Sequence, residues 1–568
     1  MEEAESKKKK AEFRLYNAMS KTVEVFEPIV PGKVGMYVCG VTAYDLSHIG
    51  HARAAVVFDV LFRFCRYLLH LDYEVTYVRN FTDIDDKENF LAQIIKRAND
   101  LGEDPLSLSN RFCEEYVADM KNLGCLPPTH QPRVTEHMEN IKNMITQIME
   151  NGCAYAVDGD VNFAVDKSPN YGQLSGRKLE DNRAGERIAV DLRKQNPADF
   201  ALWKAAKEGE PSWDSPWGPG RPGWHIECSA MSAHYLSFKF DIHGGGSDLI
   251  FPHHENELAQ SSAASSDSKV NFWVHNGHVT NNQLKMSKSL GNFFTIRQVI
   301  EKYHPLPVRM FLLSNHYRTP LNYTVAQIEQ ASETAWFIYQ TLQDCEVCLS
   351  PFQERLAKSG KKPVQIPGEA QACLTKLQEE FNDKLSDDLN TSQLVTGRKF
   401  NEALKYITLN LKPLKKQKQM SPLVHSIAAV GREVESVLRI LGLLPTCSYD
   451  EVLQQLRERA LVRAGLKAED VVRLIEERTT ARKNEKFGIS DKIRADLAAK
   501  GIALMDEGKE TVWKPCVPVV QGKWVGFVGW VRASVDSWVA FKWIYRFIGW
   551  FRRVTGLVDH STSMKKQP

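Results

Sequence analysis

Two short runs in the chain have residues that could bind nucleotide phosphates. The first, HIGH at 48–51, places two imidazoles around a glycine. Helix N-termini attract phosphate, and glycine lets a ligand approach the backbone closely. The second, KMSKS at 285–289, has two lysines that could close on the same phosphates. Either run alone would more often be solvated surface or a packing site, so the surrounding elements have to decide.

The elements around the first run are typical of a nucleotide-binding sheet. Residues 35–39 predict a short apolar strand, residues 48–69 a helix with one apolar face, and residues 74–80 a second strand. A strand, a crossover helix and a parallel strand form a βαβ unit. The sequence therefore predicts an α/β protein with a parallel sheet, in which the first run begins the crossover helix.

Four further residues have the chemistry of a zinc site. Cys39 ends the first predicted strand, Cys228 lies in a GWHIEC run, and His253 and Glu257 are at positions i and i+4. That spacing puts an imidazole and a carboxylate on one helix face, and zinc accepts thiolate, imidazole and carboxylate ligands. Each residue also has an ordinary explanation, as a core cysteine or a surface pair. No spacing rule joins Cys39 to Cys228 across 189 positions.

Six motifs together resemble the cysteinyl-tRNA synthetases, a class I aminoacyl-tRNA synthetase family, in their eukaryotic cytosolic form. The resemblance runs from about residue 13 to about residue 514. It is carried by CGVT at 39–42, HIGHAR at 48–53, NFTDIDDK at 80–87, GWHIECSAM at 223–231, DIHGGGSDLIFPHHENELAQS at 241–261 and KMSKSLGNFFTI at 285–296.

The resemblance implies a role for each group of residues. One zinc ion per chain would accept the substrate thiolate and separate cysteine from serine without an editing domain. The implied zinc ligands are Cys39, Cys228, His253 and Glu257. The implied catalytic residues are His48, His51, Lys285 and Lys288. The implied ATP-binding residues are His48, Gly50, His51, Gly244, Asp248 and Lys288, and the implied cysteine-binding residues are Gly40, Thr82, Trp224 and His243.

The implied reaction has two steps and no covalent enzyme intermediate. The carboxylate of L-cysteine attacks the α-phosphorus of ATP, which is bound with Mg²⁺, and a ribose hydroxyl at the 3′ end of tRNA(Cys) then takes the acyl group. Catalysis would come from positioning and charge stabilisation. Two alternatives stay open: a cysteine-activating ligase that transfers to a small amine, and a non-catalytic tRNA-binding paralogue.

Pattern and composition divide the rest of the chain. Helical periodicity at 328–342, 370–385 and 393–409 predicts a bundle. The expected order is a basic N-terminal tail at 1–20, a Rossmann-like catalytic domain at 21–323 with a connective insertion at about 130–200, a helical bundle at 324–456, a small mixed α/β anticodon-binding domain at 457–518 and an atypical tail at 519–568.

Segment 457–500 carries twelve basic and eight acidic residues, a surplus that a solvated helix face would also have. With the strand-like residues after it, this segment resembles the anticodon-reading domain of the family, in which a helix contacts phosphates and an aromatic ring stacks on a base. The family more often has a Gly-Thr pair before the tryptophan, which GKETVW at 508–513 lacks, so the role of Trp513 stays open. The implied tRNA contacts are Arg478, Arg482, Arg494 and Trp513.

Length and composition agree with a multi-domain enzyme. The 73 basic and 70 acidic residues nearly cancel, so any tRNA surface must be local. Eleven irregularly spaced cysteines and an acidic start predict a reducing cytoplasm and disfavour a transit peptide. Charged residues break every apolar run of the tryptophan-rich tail well short of the ~18 residues of a membrane span. This tail is either interfacial, partner-binding or an appended segment, and the sequence leaves tRNA identity elements and oligomeric state open.

Overall fold

The predicted βαβ unit is present near the start of the chain. The computed structural model describes residues 12–67, 73–84, 93–178, 191–207, 210–281, 283–286, 291–359, 366–416, 421–508 and 510–519. Val57, Leu61 and Phe64 form the buried face of the crossover helix, as their spacing predicts. The elements in order are β1 Arg14–Asn17, β2 Thr22–Val25, β3 Lys33–Thr42, α1 Ile49–Tyr67 and β4 Glu74–Thr82.

An antiparallel sheet of four short strands follows three further α-helices. The pattern at 134–149 predicts one helix, whereas the structure has a 3-10 turn at Val134–Glu136 and then an α-helix. The sequence pattern also predicts strands at 154–157 and 161–164. Both strands are present, and the second begins one residue earlier than predicted. The elements are α2 Gln93–Leu101, α3 Pro105–Asn122, α4 Met138–Glu150, β5 Ala154–Val157, β6 Asp160–Phe163, β7 Phe200–Ala205 and β8 Gly220–Pro222.

The chain then returns to complete the parallel sheet. The next elements are α5 Trp224–Leu236, β9 Lys239–Gly246, α6 Glu255–Ala264 and β10 Lys269–Asn276. The four strands stand in the order β10-β9-β3-β4, and every neighbouring pair is parallel. Because β4 follows β3 on one side and β9 lies on its other side, the strand order reverses between β3 and β9. Open α/β sheets bind ligands at such a switch point.

A three-stranded sheet and a helical bundle follow. The pattern at 393–409 predicts a helix from 393, but the helix begins at Arg398, because Gln393 has a positive φ of 61° and Gly397 is its extended N-cap. The elements are β11 Val279–Asn281, β12 Leu284–Lys285, α7 Ile296–Lys302, α8 Pro305–Leu312, β13 Leu321–Tyr323, α9 Val325–Leu349, α10 Gln353–Ser359, α11 Gly368–Ser386, α12 Arg398–Lys415 and α13 Pro422–Ile440.

Three helices and an antiparallel strand pair end the described chain. They are α14 Tyr449–Ala464, α15 Ala468–Lys483, α16 Phe487–Ala499, β14 Ile502–Glu507 and β15 Glu510–Pro515. The expected domain boundary at 456/457 falls inside α14, and Glu485, with a φ of 58°, lies between α15 and α16. Within the described residues, no helix is both long and apolar enough to cross a bilayer.

The buried side chain of Arg309 joins helix α1 of the catalytic half to the end of the bundle helix α13. Asp59 on α1 contacts Arg309 on α8, with side chains 2% and 0% exposed. Arg309 also donates from Nε to the Leu441 carbonyl at 2.7 Å, just beyond α13. A Cβ at Gly442 would lie 2.3 Å from the guanidinium, so this turn requires glycine. Since an unpaired buried charge costs about 3–5 kcal/mol, the pair fixes how α1 packs on the bundle.

Candidate active site

The two central strands separate at their carboxyl ends. The β3–β9 ladder ends at Val38 and Gly244, whereas β3 continues beside β4 to Thr42. Cys39 is the first residue beyond the ladder, so its thiol lies at the switch point. The next residue, Gly40, donates its N–H to Asn80 Oδ1 at 2.9 Å, and a Cβ there would come within 1.7 Å of the Asn80 carbonyl oxygen. Glycine at position 40 is therefore required by the close approach of β4.

Four side chains bring ligand atoms together at this edge. The sulfurs of Cys39 and Cys228, a nitrogen of His253 and a carboxylate oxygen of Glu257 all lie within 4.8 Å of one another. Cys39 Sγ is 3.5 Å from His253 Nε2 and 3.4 Å from Glu257 Oε1. His253 Nε2 is 3.1 Å from Glu257 Oε1. The structure thus brings together all four residues that the sequence analysis named as zinc ligands.

These distances fit a tetrahedral metal ion. Zinc bonds of roughly 2.0–2.3 Å separate neighbouring ligand atoms by about 3.3–3.8 Å, close to the separations between these donors. Cys228, His253 and Glu257 are at most 2% exposed. Burial, a hydrogen bond with Cys228 and the charge of Glu257 raise the pKa of the Cys39 thiol well above its usual value. A divalent cation would oppose that shift, so the donor set suits a metal better than protons.

The protonation state of His253 also fits metal binding. Burial lowers its pKa to about 3, against the opposing charge of Glu257, so the ring is neutral at physiological pH. To bind a metal through Nε2 the ring must carry its proton on Nδ1, which lies 2.9 Å from Nδ1 of His225. Burial and Lys204 lower the pKa of His225 to about 3, so its ring is also neutral and its Nδ1 can accept a hydrogen bond from His253 Nδ1–H. Such outer hydrogen bonds orient metal ligands.

A second possible donor set overlaps the first. Cys39, His243, His254 and Glu257 also have ligand atoms within 4.8 Å of one another. His243 Nε2, however, already contacts Glu257 Oε2 at 2.8 Å, and His254 Nδ1 contacts His275 at 2.8 Å. The pKa of Glu257 is lowered because His243 and His253 together outweigh its burial. His243 is thus placed to support the carboxylate, and the set with two sulfurs has the softer donors that zinc prefers.

Sequence reasoning missed three histidines behind the cluster, of which His254 and His275 are buried and His225 is half-buried. His225, His254 and His275 are within hydrogen-bond distance of His253 or of one another. Signals were available for two of these histidines, His254 and His275. His254 directly follows a named ligand, and the parallel register pairs His275 with Gly245 at the same sheet edge.

The HIGH run closes the N-terminus of α1. His48 Nδ1 accepts the backbone N–H of Gly50 at 3.0 Å, and the rings of His48 and His51 stack with centroids 3.8 Å apart. A Cβ at Gly50 would lie 2.7 Å from the His48 ring, so this fold-back requires glycine. Because Nδ1 is an acceptor, a neutral His48 carries its proton on Nε2, which can donate to a ligand.

The segment after the KMSKS run is attached to the HIGH run. Ile49 donates its N–H to the Phe294 carbonyl at 3.1 Å, and Ile296 donates to the Ser47 carbonyl at 2.9 Å. Lys285 ends β12, Met286 is buried, and Lys288 lies outside the described residues. Residues 294–296 and the start of the HIGH run, more than 240 positions apart in the sequence, are thus neighbours in the fold.

The residues named for a cysteine pocket surround the donor cluster. The Trp224 ring lies 4.3 Å from the His253 ring, centroid to centroid. The Thr82 hydroxyl is buried and donates to Glu227 Oε2 at 3.2 Å. Gly40 and His243 are in contact with residues of the cluster or its support, as described above. A small substrate bound at the cluster would therefore meet an indole face and a glycine backbone.

The glycine run at 244–246 has a packing role of its own. A Cβ at Gly244 would lie 2.3 Å from the Phe58 ring on α1, and one at Gly245 would lie 3.0 Å from His254. The run therefore lets β9 approach both α1 and the buried histidines. Asp248 follows it, 3.6 Å from His278 Nδ1.

Comparison with known proteins now identifies the family. The family described as tRNA synthetases class I (C) catalytic domain matches residues 25–333, more than half of the chain. Cysteine–tRNA ligase 2, cytoplasmic, from Arabidopsis thaliana is 60% identical over 511 residues, covering 90% of this chain and 98% of that protein. The chain belongs to the class I cysteinyl-tRNA synthetase family.

A further relative supports this assignment, and one solved structure supports the fold. The cysteine–tRNA ligase CPS1 homolog, chloroplastic/mitochondrial, of Oryza sativa subsp. japonica is 58% identical, covering 89% of this chain and 86% of that protein. A Mycobacterium tuberculosis methionyl-tRNA synthetase in complex with methionyl-adenylate has a TM-score of 0.51 at 17% identity, covering 77% of this chain and 95% of that one. The latter supports the fold alone and confirms the expected α/β class.

In this cysteinyl-tRNA synthetase the arginines named as tRNA contacts surround one carboxylate. Arg478 donates to both oxygens of Asp506 at 2.8 and 2.9 Å, and only 3% of its side chain is exposed. Arg482 and Arg494 also contact Asp506, at 2.8 and 3.1 Å, but are 47% and 40% exposed. Arg478 is therefore an internal partner of Asp506, and its placement argues against direct phosphate contact.

Proposed function

We propose that this chain activates L-cysteine with ATP and transfers it to tRNA(Cys), with one zinc ion recognising the thiol. Membership of the cysteinyl-tRNA synthetase family supports the reaction. The single observation that carries the zinc proposal is the convergence of two sulfurs, one imidazole and one carboxylate within 4.8 Å at the switch point. A cysteine pocket built on these donors needs no editing domain, because it reads the sulfur itself.

The proposed pocket divides its tasks between donors and walls. Cys39, Cys228, His253 and Glu257 would hold the zinc, which when bound would accept and ionise the substrate thiol. His243 would fix the second oxygen of Glu257 through their 2.8 Å contact. Trp224 would close one side, and the backbone of Gly40 would leave room for the amino acid. The buried Thr82–Glu227 contact would shape the floor of the pocket.

The HIGH and KMSKS runs are proposed to stabilise the phosphates of ATP, bound with Mg²⁺. The cysteine carboxylate attacks the α-phosphorus, a new P–O bond forms, and pyrophosphate leaves. His48 would donate from Nε2 to a phosphate oxygen, beside His51 and the N-terminus of α1. Lys285 and Lys288 would neutralise charge on the leaving pyrophosphate. Gly244 and Asp248 would border the nucleotide.

Recognition of tRNA is proposed to use the C-terminal strands and helices. Arg482 and Arg494 keep about half of their side chains exposed, so they can reach phosphates while also contacting Asp506. Trp513 lies on β15 with the Arg457 guanidinium 5.7 Å from its ring centroid, and it is only partly buried. We therefore retain Arg482, Arg494 and Trp513 as tRNA contacts and reassign Arg478 to a supporting role.

The two alternatives are less well supported. A cysteine ligase acting on a small amine would not need residues 457–519, yet the aligned region covers 98% of a full-length cysteine–tRNA ligase. A non-catalytic paralogue would not need an intact HIGH run folded against the segment that follows KMSKS.

The decisive assay is cysteine-dependent ATP–pyrophosphate exchange with serine as control, followed by charging of tRNA(Cys). We expect exchange with cysteine, none above background with serine, and cysteinyl-tRNA as the product. Exchange without charging would favour the small-amine ligase. Absence of exchange under conditions where the protein is folded would favour the paralogue.

A cytoplasmic location is also proposed, on the printed name of one relative. The names of the two relatives differ in this respect, one being cytoplasmic and one chloroplastic/mitochondrial. Microscopy of the full chain with a C-terminal fluorescent fusion would decide, and organellar signal would contradict the proposal. The tail at 519–568, of which residues 520–568 lie outside the described part of the chain, is proposed to be dispensable for charging.

A further inference from the structure

Two of the four donors, His253 and Glu257, lie close together in what we call the donor segment, residues 250–257. The first half of this segment is irregular, with extended dihedral angles at Phe251 (φ −140°, ψ 131°), and regular helix begins only with α6. His253 lies in the irregular half, whereas Glu257 lies in the first turn of α6. An irregular turn lacks the repeating hydrogen bonds of a regular helix. The position of one donor relative to the other therefore depends on the contacts around the segment.

One turn of the connective insertion packs on the donor segment. We call it the insertion turn, residues 171–177. The carboxylate of Glu255, whose residue is 1% exposed, accepts the backbone N–H groups of Gly172 at 2.9 Å, Ser175 at 2.7 Å and Leu174 at 3.5 Å. The first and third of these reach one oxygen and the second reaches the other. Both oxygens of the carboxylate are therefore used as acceptors.

The insertion turn is shaped to present these N–H groups. Gly172 has a φ of 94°, and a Cβ there would lie 2.0 Å from the Arg177 carbonyl oxygen, so the turn requires glycine at this position. Gly176 donates its N–H to the Gly172 carbonyl at 2.7 Å and closes the turn. Successive backbone N–H groups in such a turn form a concavity that suits an anion. Here the group that fills the concavity is a side chain of α6.

Two side-chain contacts join the same two segments. The Tyr171 hydroxyl donates to Oδ1 of Asn256, a residue that is 2% exposed. The Arg177 guanidinium lies 4.5 Å from the centroid of the Phe251 ring. The insertion turn thus contacts the donor segment both before and after His253 in the sequence.

The insertion also packs against the histidine behind this donor. The rings of Tyr171 and Phe200, which belongs to β7, are 6.3 Å apart, centroid to centroid. The Phe200 ring meets the His225 ring edge-on at 5.9 Å. His225 is in turn the hydrogen-bond partner of His253. The insertion therefore reaches the same donor by two routes, one through the donor segment and one through aromatic rings.

We propose that Glu255 and Tyr171 are positioning residues of the zinc site. They attach the donor segment to the insertion turn and so hold His253 at the distances from the other three donors that one zinc ion requires. Neither side chain is itself one of the four donors, so both act through the segment. The zinc ion is part of the proposed function, on which this inference rests. The insertion thereby takes part in cysteine recognition.

The test measures the Kd for zinc of the full chain by competition with a chromophoric chelator. Glu255→Gln keeps the shape of the side chain but replaces one acceptor oxygen by an NH2 group, which cannot accept a backbone N–H. Asp199→Asn is its matched control. Asp199 is a 3% exposed carboxylate of the same insertion, and it accepts the N–H groups of Val165 and Asn196 at 2.9 and 3.0 Å.

A second pair of variants removes a single hydroxyl each. Tyr171→Phe breaks the hydrogen bond to Asn256 and keeps the ring against Phe200. Tyr155→Phe is its matched control, because the Tyr155 hydroxyl donates to Asp199 at 2.7 Å within the insertion.

We expect Glu255→Gln to raise the Kd for zinc by about 10- to 100-fold, the effect typical of removing the outer support of a metal ligand. Tyr171→Phe should raise it by about 3- to 5-fold, because one hydrogen bond is lost. Both controls should match wild type. In pyrophosphate exchange, Glu255→Gln should raise the KM for cysteine and leave the KM for ATP within two-fold. Added zinc should restore the KM for cysteine, which it would not do if the role of Glu255 were only structural.

The inference is overturned if the Kd of Glu255→Gln lies within two-fold of that of Asp199→Asn, whether or not both differ from wild type. A raised KM for cysteine that added zinc does not lower would also overturn it. If Glu255→Gln does not fold, the second pair decides, and equal zinc affinity in Tyr171→Phe and Tyr155→Phe is then the contrary result. Wild-type protein that activates cysteine without binding zinc would overturn the proposed zinc site itself, and this inference with it.

Discussion

The donor cluster beside β3 and the arginine cluster around Asp506 are built in similar ways but differ in charge. Both bring together polar side chains from separate elements. In the C-terminal cluster three arginines already share an internal carboxylate, and Arg478 is almost fully buried. In the donor cluster the ion-pair partners of Glu257 among the described residues are histidines, and two of these, His253 and His254, are held neutral by burial.

The difference shows how to read such clusters. A cluster whose charges are balanced by partners within the protein supports the fold. Donor atoms that converge without a positively charged side chain among them indicate a site for a cation. Residue type alone predicts both as ligand-binding. The internal partner decides which side chains remain available, and it is visible only in the fold.

The largest expected effect is from Cys228→Ser. Loss of one soft donor from the cluster should lower zinc content severalfold and reduce kcat/KM for cysteine by on the order of 10³. The measurements are metal analysis of purified protein and pyrophosphate exchange. Cys373→Ser, a half-buried cysteine of α11, is the control. Normal zinc content with unchanged preference for cysteine over serine would remove Cys228 from the site.

A smaller loss is expected from His243→Asn. The variant removes the imidazole that contacts the second oxygen of Glu257, and outer-shell partners of this kind typically contribute 10- to 100-fold, roughly, to metal affinity. Competition with a chromophoric chelator would measure it. If the affinity is unaltered, Glu257 binds the metal without support from His243, and the second donor set, which contains His243, is excluded.

The C-terminal cluster should respond in stability. Asp506→Asn leaves Arg478 buried without its carboxylate and should destabilise the β14–β15 pair by about 2 kcal/mol, the range for hydrogen bonds to charged groups. Hydrogen exchange of peptides covering residues 502–515 would report this as opening roughly 30-fold more frequent. Unchanged protection would show that the Asp506 carboxylate does not stabilise the β14–β15 pair.

The same carboxylate gives a pH dependence with a defined sign. The hydrogen bond from Arg478, then Thr511 and nearby arginine charge, lower the pKa of Asp506 in spite of partial burial. A lowered pKa in the folded state means that the stabilisation is complete above the ordinary value of about 3.9 and is lost as the pH falls below it. Wild type and Asp506→Asn should therefore differ at pH 7 and converge in acid.

The smallest effect is expected from Arg482→Gln combined with Arg494→Gln. These side chains are half exposed, so their loss should raise the KM for tRNA(Cys) by about 3- to 10-fold, reduce its salt dependence and leave pyrophosphate exchange unchanged. Arg473→Gln is the control. If the double variant and the Arg473→Gln control charge tRNA(Cys) equally well, contact with Asp506 is the only role of these arginines.

Much of the core of the site could be predicted from sequence. The strand and helix patterns around HIGH gave the βαβ unit, since apolar periodicity is a local property. The i, i+4 spacing of His253 and Glu257 correctly placed both on one face. Joining them to Cys39 and Cys228 required the family resemblance, because the reversal of strand order that brings β3 beside β9 is not encoded in any local pattern.

What sequence could not predict depends on burial and on internal partners. Arg478 and Arg482 are four residues apart and chemically identical, yet one is 3% and the other 47% exposed. Nothing in the spacing of His225, His254 and His275 showed that these histidines would contact one another or His253 behind the donor cluster. Likewise, the helix predicted from residue 393 begins only at Arg398, because tertiary packing holds Gln393 in a left-handed conformation.

The central claim is that the cluster at the carboxyl end of β3 is a zinc site that reads the cysteine thiol. X-ray absorption at the zinc edge, measured on the full chain with and without L-cysteine, tests it most directly. The account predicts about one zinc per chain with two sulfur and two nitrogen or oxygen ligands, and one additional sulfur when cysteine is bound. Zinc that is absent from active protein, or a sulfur count that does not change on adding cysteine, would contradict it.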